Sequence, residues 1–264
     1  MRIATWNINS VRTRIERLTD WLQRADIDVL ALQETKCRDD QFPSLELSAL
    51  GYEVAHFGLN QWNGVAVLSR VGMADITTSF ADDQPLFGDP PVLEARAVGA
   101  TCGGLRMWSL YIPNGRELGH PHYDYKLLWL ESLRRAGAQW LSTDPDAQIA
   151  LTGDWNVAPE DDDVWDMEFF ANTTHVSEPE RTAFRGVVEA GYADVVRQHT
   201  PGPGVYTYWD YKQLSFPKKR GMRIDFILGS PALSARVTGA YIDREERKGK
   251  SPSDHAPVVV ELED

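Results

Sequence analysis

The chain has little cysteine, no long apolar run and a deficit of positive charge, and each shortage closes off a class of protein. Its two cysteines, Cys37 and Cys102, lie far apart and form neither a CxxC pair nor a metal knuckle; this excludes a disulfide scaffold and points to a reducing compartment. No apolar stretch approaches the roughly 20 residues of a spanning helix, so no membrane partner is expected. The chain enters a strand at once, with Arg2-Ile3-Ala4-Thr5-Trp6, and shows no apolar signal core, so a cytoplasmic location is expected. Lys and Arg number 27 against 39 Asp and Glu, a formal charge of −12. A field of that sign repels polyanions and argues against a non-specific nucleic-acid coat. Long Gly/Ser linkers and low-complexity tails are also missing, so residues 1–264 are expected to form one domain.

What is present is an ordinary globular mixture, 42% hydrophobic and 25% charged, which leaves little room for extended disorder. Arg2 to Asn9 reads as a strand, and Val11, Ile15, Leu18, Leu22 and Ala25 recur at helical spacing after it. Further strands are expected at 27–34, 52–55, 64–69, 92–97 paired with 105–112, 149–151, 205–209, 223–228, 237–242 and 258–262. Helices are expected over 125–141 and from a capping box at Ser177 and Glu180 to near Gly191. His120-Pro121-His122 reads as a loop, and Trp129 and Trp140 as core. Many strands with few helices suggest two packed sheets with helices outside.

Acids and amides gather where the apolar runs stop: Asn7 with Asn9, Glu34, Tyr111 with Asn114, and Asp154 with Asn156. The central stretch is Ala150 to Pro159. Side chains at i and i+2 of extended backbone face the same way, so Asp154 and Asn156 can converge on one metal or one phosphate oxygen; an Asx turn is the competing reading. Asp225 sits inside an apolar run, where an ionised acid needs a partner, and His255 is the candidate.

Thr5-Trp6-Asn7, Leu32 to Lys36, Tyr111 to Gly115, Gly153 to Asn156, Arg223-Ile224-Asp225 and Ser253-Asp254-His255 resemble the ordered blocks of the exonuclease III family of abasic-site endonucleases. The resemblance implies an α/β (α+β) four-layer αββα sandwich, two mixed sheets face to face with helices on both outer sides. It implies a DNA-repair nuclease that incises 5′ to abasic sites, with 3′-phosphodiesterase, 3′-phosphatase and 3′→5′ exonuclease action on blocked or recessed ends of duplex DNA. Mg²⁺, or Mn²⁺ in its place, would be the cofactor, held by Glu34 with Asn7, Asp154, Asn156, Asp254 and His255. Asp154 would orient or deprotonate water, Asn156 would hold a phosphate oxygen, and His255 paired with Asp225 would face the non-bridging oxygens. Tyr111 would donate to the phosphate or leaving group. Between Asp154 and His255 the choice of base stays open. Lys36 and Asn114 would contact phosphates. Tyr208, Trp209, Met222, Arg223 and Ile224 would form the DNA-binding wall and sugar pocket, with Met222 where some relatives have tryptophan.

One further departure and one charge feature stand beside these expectations. Asn9 occupies a place where some relatives carry aspartate, and positive charge rises only late, through Lys212, Lys218, Lys219, Arg220, Arg223, Arg244, Arg247, Lys248 and Lys250, as a rim for phosphates. A monomer, associated with the nucleoid when acting, is expected. The competing readings are a metal-dependent phosphatase or phosphodiesterase on a small ester, and a binding module that has lost turnover.

Overall fold

A computed structural model describes residues 1–263. The expected domain extends to residue 264, which lies outside the described residues. The strands are β1 (Arg2–Asn7), β2 (Val29–Gln33), β3 (Glu53–Phe57), β4 (Val65–Ser69), β5 (Ala74–Thr77), β6 (Ala97–Cys102), β7 (Leu105–Tyr111), β8 (Ile149–Asp154), β9 (Ala193–Asp194), β10 (Asp225–Gly229), β11 (Val237–Ile242) and β12 (Val258–Leu262). The helices are α1 (Ile15–Ala25), α2 (Ser44–Ser48), α3 (Pro121–Thr143), α4 (Glu178–Glu189) and α5 (Pro231–Ser234).

Two six-stranded sheets result, ordered β11-β12-β1-β2-β4-β3 and β5-β6-β7-β8-β10-β9. Val29, Val67 and Val258 of the first meet Val98, Met107 and Ile227 of the second in one buried cluster. On the outer faces, Trp6 and Leu30 pack against Leu18 and Trp21 of α1, and Trp108 and Leu151 against Trp129 and Leu133 of α3. This is the four-layer sandwich. Strands buried on both faces read as continuous apolar runs, which is why 29–33 and 65–69 were legible.

Each sheet has one parallel pair at its centre, β1 with β2 and β7 with β8, flanked by antiparallel partners. The carboxyl ends of these four strands therefore share an edge with the amino ends of β10 and β12. Asp225 lies directly opposite Asp154 in the register, and Thr5 opposite Val258. Sequence-distant residues 5–7, 34, 111, 154, 225 and 255 are thereby brought to one rim.

Three expectations shift. The strand pairing with 105–112 is 97–102 rather than 92–97, because Gly103 and Gly104, at φ of 56° and 85°, close a two-residue hairpin. The 205–209 stretch is no sheet strand; Tyr208 makes isolated bridges to Met222 and His255. His120-Pro121-His122 opens α3, with Pro121 in its first turn and the His120 ring accepting the His122 N–H. Among the described residues no helix is long and apolar enough to cross a membrane.

Two histidines are structural. His56 stacks on Phe42 at 4.2 Å, and His122 accepts the Gly115 N–H through Nδ1 at 3.1 Å. Burial lowers each to about 4, against the pull of Asp39 for His56 and with help from Arg96 for His122. Their folded values lie below the unfolded value near 6.5, so the stability they contribute is full above that pH and is lost as pH falls through about 4. Thermal unfolding is expected to show a falling Tm over this window, with a shallower fall in His122→Gln than in the wild type.

Candidate metal centre and phosphodiester site

Local backbone geometry presents the acids. Gly153 has φ of 145°, and a Cβ there would lie 1.9 Å from the Leu110 carbonyl oxygen, so only glycine lets β8 run this close to β7 before Asp154. Asp154 Oδ1 then accepts the Asn156 N–H at 3.0 Å, so the Asx turn and the site coexist. Asn9, Ser10, Glu34, Lys36, Asn156 and His175 all have positive φ, a concentration of backbone strain around one rim.

Glu34, Asp154 and His255 offer donor atoms within 4.8 Å of one another. Asn7 clamps the two carboxylates, donating through Nδ2 to Glu34 Oε1 at 2.8 Å and Asp154 Oδ2 at 3.0 Å. Its oxygen takes the Asn9 N–H, so ligation by Asn7 requires a half-turn of its amide. The two carboxylates fit a hard divalent cation that keeps part of its water, with His255 beside them. His255 lies between two acids, Nδ1 at 2.8 Å from Asp225 Oδ2 and Nε2 at 3.8 Å from Asp154 Oδ2. The expected Asp225 partner is present. Ser253 Oγ donates to the Asn7 carbonyl at 2.6 Å and Trp6 Nε1 to the His255 carbonyl at 3.1 Å, tying this loop to β1.

The electrostatics follow from this crowding. Burial, with Asp225 and Glu34 adding to it, raises Asp154 to about 7, against His255 and the Asn7 bond. Burial opposes the His255 imidazolium, but Asp225, Asp154 and Asp254 outweigh it and raise the group to about 10. Tyr111 is pushed well above the usual phenol range by burial and by Glu34, to which it hydrogen-bonds, so it remains a neutral donor. The Arg96 guanidinium lies 4.9 Å over its ring.

Several expected site residues take other places. Asn156 Oδ1 accepts from Asn114 Nδ2 at 3.1 Å and lies 3.0 Å from His175 Nε2, so that oxygen already has partners other than the carboxylates. Asp254 stands outside the three-residue cluster and accepts from Asn9 Nδ2 at 2.9 Å. Asn9 also accepts from Lys36 at 2.6 Å, so an aspartate in its place would set a carboxylate against Asp254. Lys36 pairs with Glu34 Oε2 at 2.7 Å. Tyr208 and Met222 line a pocket whose Tyr208 ring is 4.9 Å from the His255 imidazole. Trp209, 1% exposed, is core against Phe216; Ile224 is buried under Met222; Arg223 is buried in pairs with Asp163 and Asp194. Those three side chains cannot reach DNA. Arg247 of the expected rim is likewise buried, donating to the Trp209 and Ser253 carbonyls.

Sequence reasoning missed two features. One is a cleft beside Lys36 lined by Arg12, Arg38, Asn60 and Trp62, the last 71% exposed; a tryptophan within a polar run was its only signal. The other is Lys126, fully buried with Glu180. Its ammonium donates to the carbonyls of Asn156 at 2.6 Å and Asn114 at 3.3 Å, while Glu180 accepts from Thr174 at 2.6 Å and from the His175 N–H at 2.9 Å. One charge pair thus holds three loops of the rim. A lone lysine on the apolar stripe of α3 was the available clue. Removing one partner leaves the other charge buried, which costs about 3–5 kcal/mol. Lys126→Met is therefore expected to lose that much stability by denaturant titration. Glu180→Gln keeps acceptors for the loop but strands the Lys126 ammonium, so it should lose a comparable amount in the same titration.

Comparison with known proteins places this geometry. The Endonuclease/Exonuclease/phosphatase family matches residues 4–255. An exodeoxyribonuclease of Bacillus subtilis is 28% identical, over 98% of both chains. Among solved structures, a 3′ phosphatase from Neisseria bound to product DNA hairpin is 34% identical with a TM-score of 0.92, and an AP endonuclease from Archaeoglobus fulgidus is 32% identical with a TM-score of 0.91; each alignment covers 100% of both chains. This chain, matched by the family over nearly its whole length, belongs to the Endonuclease/Exonuclease/phosphatase family.

Proposed function

We propose that the chain is a divalent-cation-dependent DNA-repair nuclease that hydrolyses the phosphodiester bond 5′ to abasic sites and processes 3′ ends. The observation that carries this reading is the Glu34, Asp154 and His255 cluster, backed by Asp225 and opening onto the Tyr208 and Met222 pocket. Mg²⁺ or Mn²⁺ held by Glu34 and Asp154 would supply charge neutralisation at the phosphate.

The remaining roles follow from the electrostatics. Asp154, beside Glu34 and 3.8 Å from His255 Nε2, would orient or deprotonate the attacking water. His255, held as a cation by Asp225, is the better donor to a non-bridging oxygen as negative charge grows there. Tyr111, neutral, donates to the phosphate or leaving 3′ oxygen. Asn156 gives one N–H to the Ile112 carbonyl at 3.0 Å, and its second is the one for phosphate. Lys36, Arg12, Arg38 and Trp62 form the basic, aromatic side of the DNA track, and a chain of net charge −12 needs such a local reversal to hold phosphates.

An end-labelled duplex carrying one abasic analogue, compared with a recessed 3′ end, tests the reading. Cleavage is expected with Mg²⁺ and none with EDTA, and Asp154→Asn should lower kcat by about 10²–10⁴-fold. An uncut duplex alongside hydrolysis of a small phosphate ester would sink it. Arg12→Ala is expected to weaken duplex binding and to reduce the salt slope by about one.

A further inference from the structure

One imidazole near the centre has no part in the roles given above. His175 lies on the connection between β8 and α4, outside every block that marked the site in the sequence. Its φ of 81° is one that glycine enters freely and a side chain does not, and such strain persists only where the surroundings impose it. Here they do: its N–H donates to Glu180 Oε1 at 2.9 Å, and its carbonyl accepts the Ala158 N–H at 2.8 Å. The ring is thereby carried to the rim, where Nε2 lies 3.0 Å from Asn156 Oδ1 and 3.2 Å from Asn114 Nδ2.

The direction of these contacts is fixed by groups that can act in one way only. The Ile112 carbonyl accepts and cannot donate, so Asn156 turns its nitrogen there, at 3.0 Å, and its oxygen toward the ring. Asn114 Oδ1 takes the Arg116 N–H at 3.1 Å, so Asn114 turns its nitrogen inward and donates to the same Asn156 oxygen at 3.1 Å. With that oxygen accepting, the ring carries its proton on Nε2 and donates. Both lone pairs of the oxygen and one N–H of the amide are then engaged, and a single Asn156 N–H is left. Hydrogen bonds received by an amide oxygen also polarise the amide and strengthen its nitrogen as a donor.

We propose that His175 is a positioning residue for the phosphodiester reaction: its Nε2–H, donated to Asn156 Oδ1, locks that amide so that the remaining Asn156 N–H meets a phosphate oxygen as charge grows on it. The proposal rests on the nuclease reading above and adds to it a residue that acts through Asn156. A donor set in advance needs no reorganisation when the transition state forms, so its effect falls on rate rather than on binding.

Single-turnover cleavage of the end-labelled abasic duplex with Mg²⁺, and duplex binding in EDTA, read those two quantities apart. His175→Leu is expected to slow cleavage about five- to tenfold with the dissociation constant within about twofold of wild type, and His175→Gln, whose amide can donate from the same place, to cleave within about twofold of wild type. In an Asn156→Ala background the further change His175→Leu should alter the rate by less than about twofold, since the group through which it acts is gone. Long-range ¹⁵N–¹H correlation spectra of the wild type should show His175 protonated at Nε2. No loss in His175→Leu, an equal loss in His175→Gln, an undiminished loss in the Asn156→Ala background, a loss confined to binding, or a ring protonated at Nδ1 alone would each overturn the proposal and leave the nuclease reading standing. Wild type that leaves the duplex uncut would instead remove that reading, and the proposal with it.

Discussion

Negative charge held close and out of water is the constraint on which this molecule turns. Asp154 and Asp225 are buried, Glu34 and Asp254 stand beside them, and His255 is the cation in their midst. Taking each carboxylate from water costs several kcal/mol, so such a cluster persists only where hydrogen bonds and a cation compensate. Asn7 between Glu34 and Asp154, and His255 between Asp154 and Asp225, supply part of that compensation, and the donors left over are those a divalent ion would use. The central parallel pairs of both sheets exist in this sense to deliver acids to one edge without bending the strands.

A second buried ionic group supports the first. Lys126 and Glu180 form a neutral pair, and its hydrogen bonds end on the backbone of Asn114, Asn156 and His175. Glu180 also caps α4 through Ser177, so the helix and the rim loops are fixed by the same carboxylate. Strained positions such as Glu34 and Asn156 keep their backbone conformation because the surroundings leave them no other.

Charge on the outside tells a different story from charge by count. Arg223 and Arg247, read from the sequence as part of a phosphate rim, are spent on Asp163 and Asp194 and on backbone carbonyls. Cations with open surroundings lie elsewhere, around Trp62 on one side of the centre and around Trp165 on the other. The net charge of −12 disfavours indiscriminate binding of polyanions.

The sequence by itself determined the layers and most of the polar residues that meet at the rim. Continuous apolar runs announced strands buried on both faces, the Ser177 and Glu180 spacing announced α4, and acids at strand ends announced Glu34, Asp154, Asp225 and His255, since a charge placed against an apolar run demands a partner. Tertiary structure alone decided which polar side chains face the cleft and which support it. Arg223 and Trp209 go inside, Asn156 turns to Asn114 and His175, and Lys126 reaches beneath the rim, because those partners come from segments tens of residues away. Local spacing says how a side chain leaves its own strand or helix. What it meets depends on the packing of two sheets whose facing residues are set by long-range register.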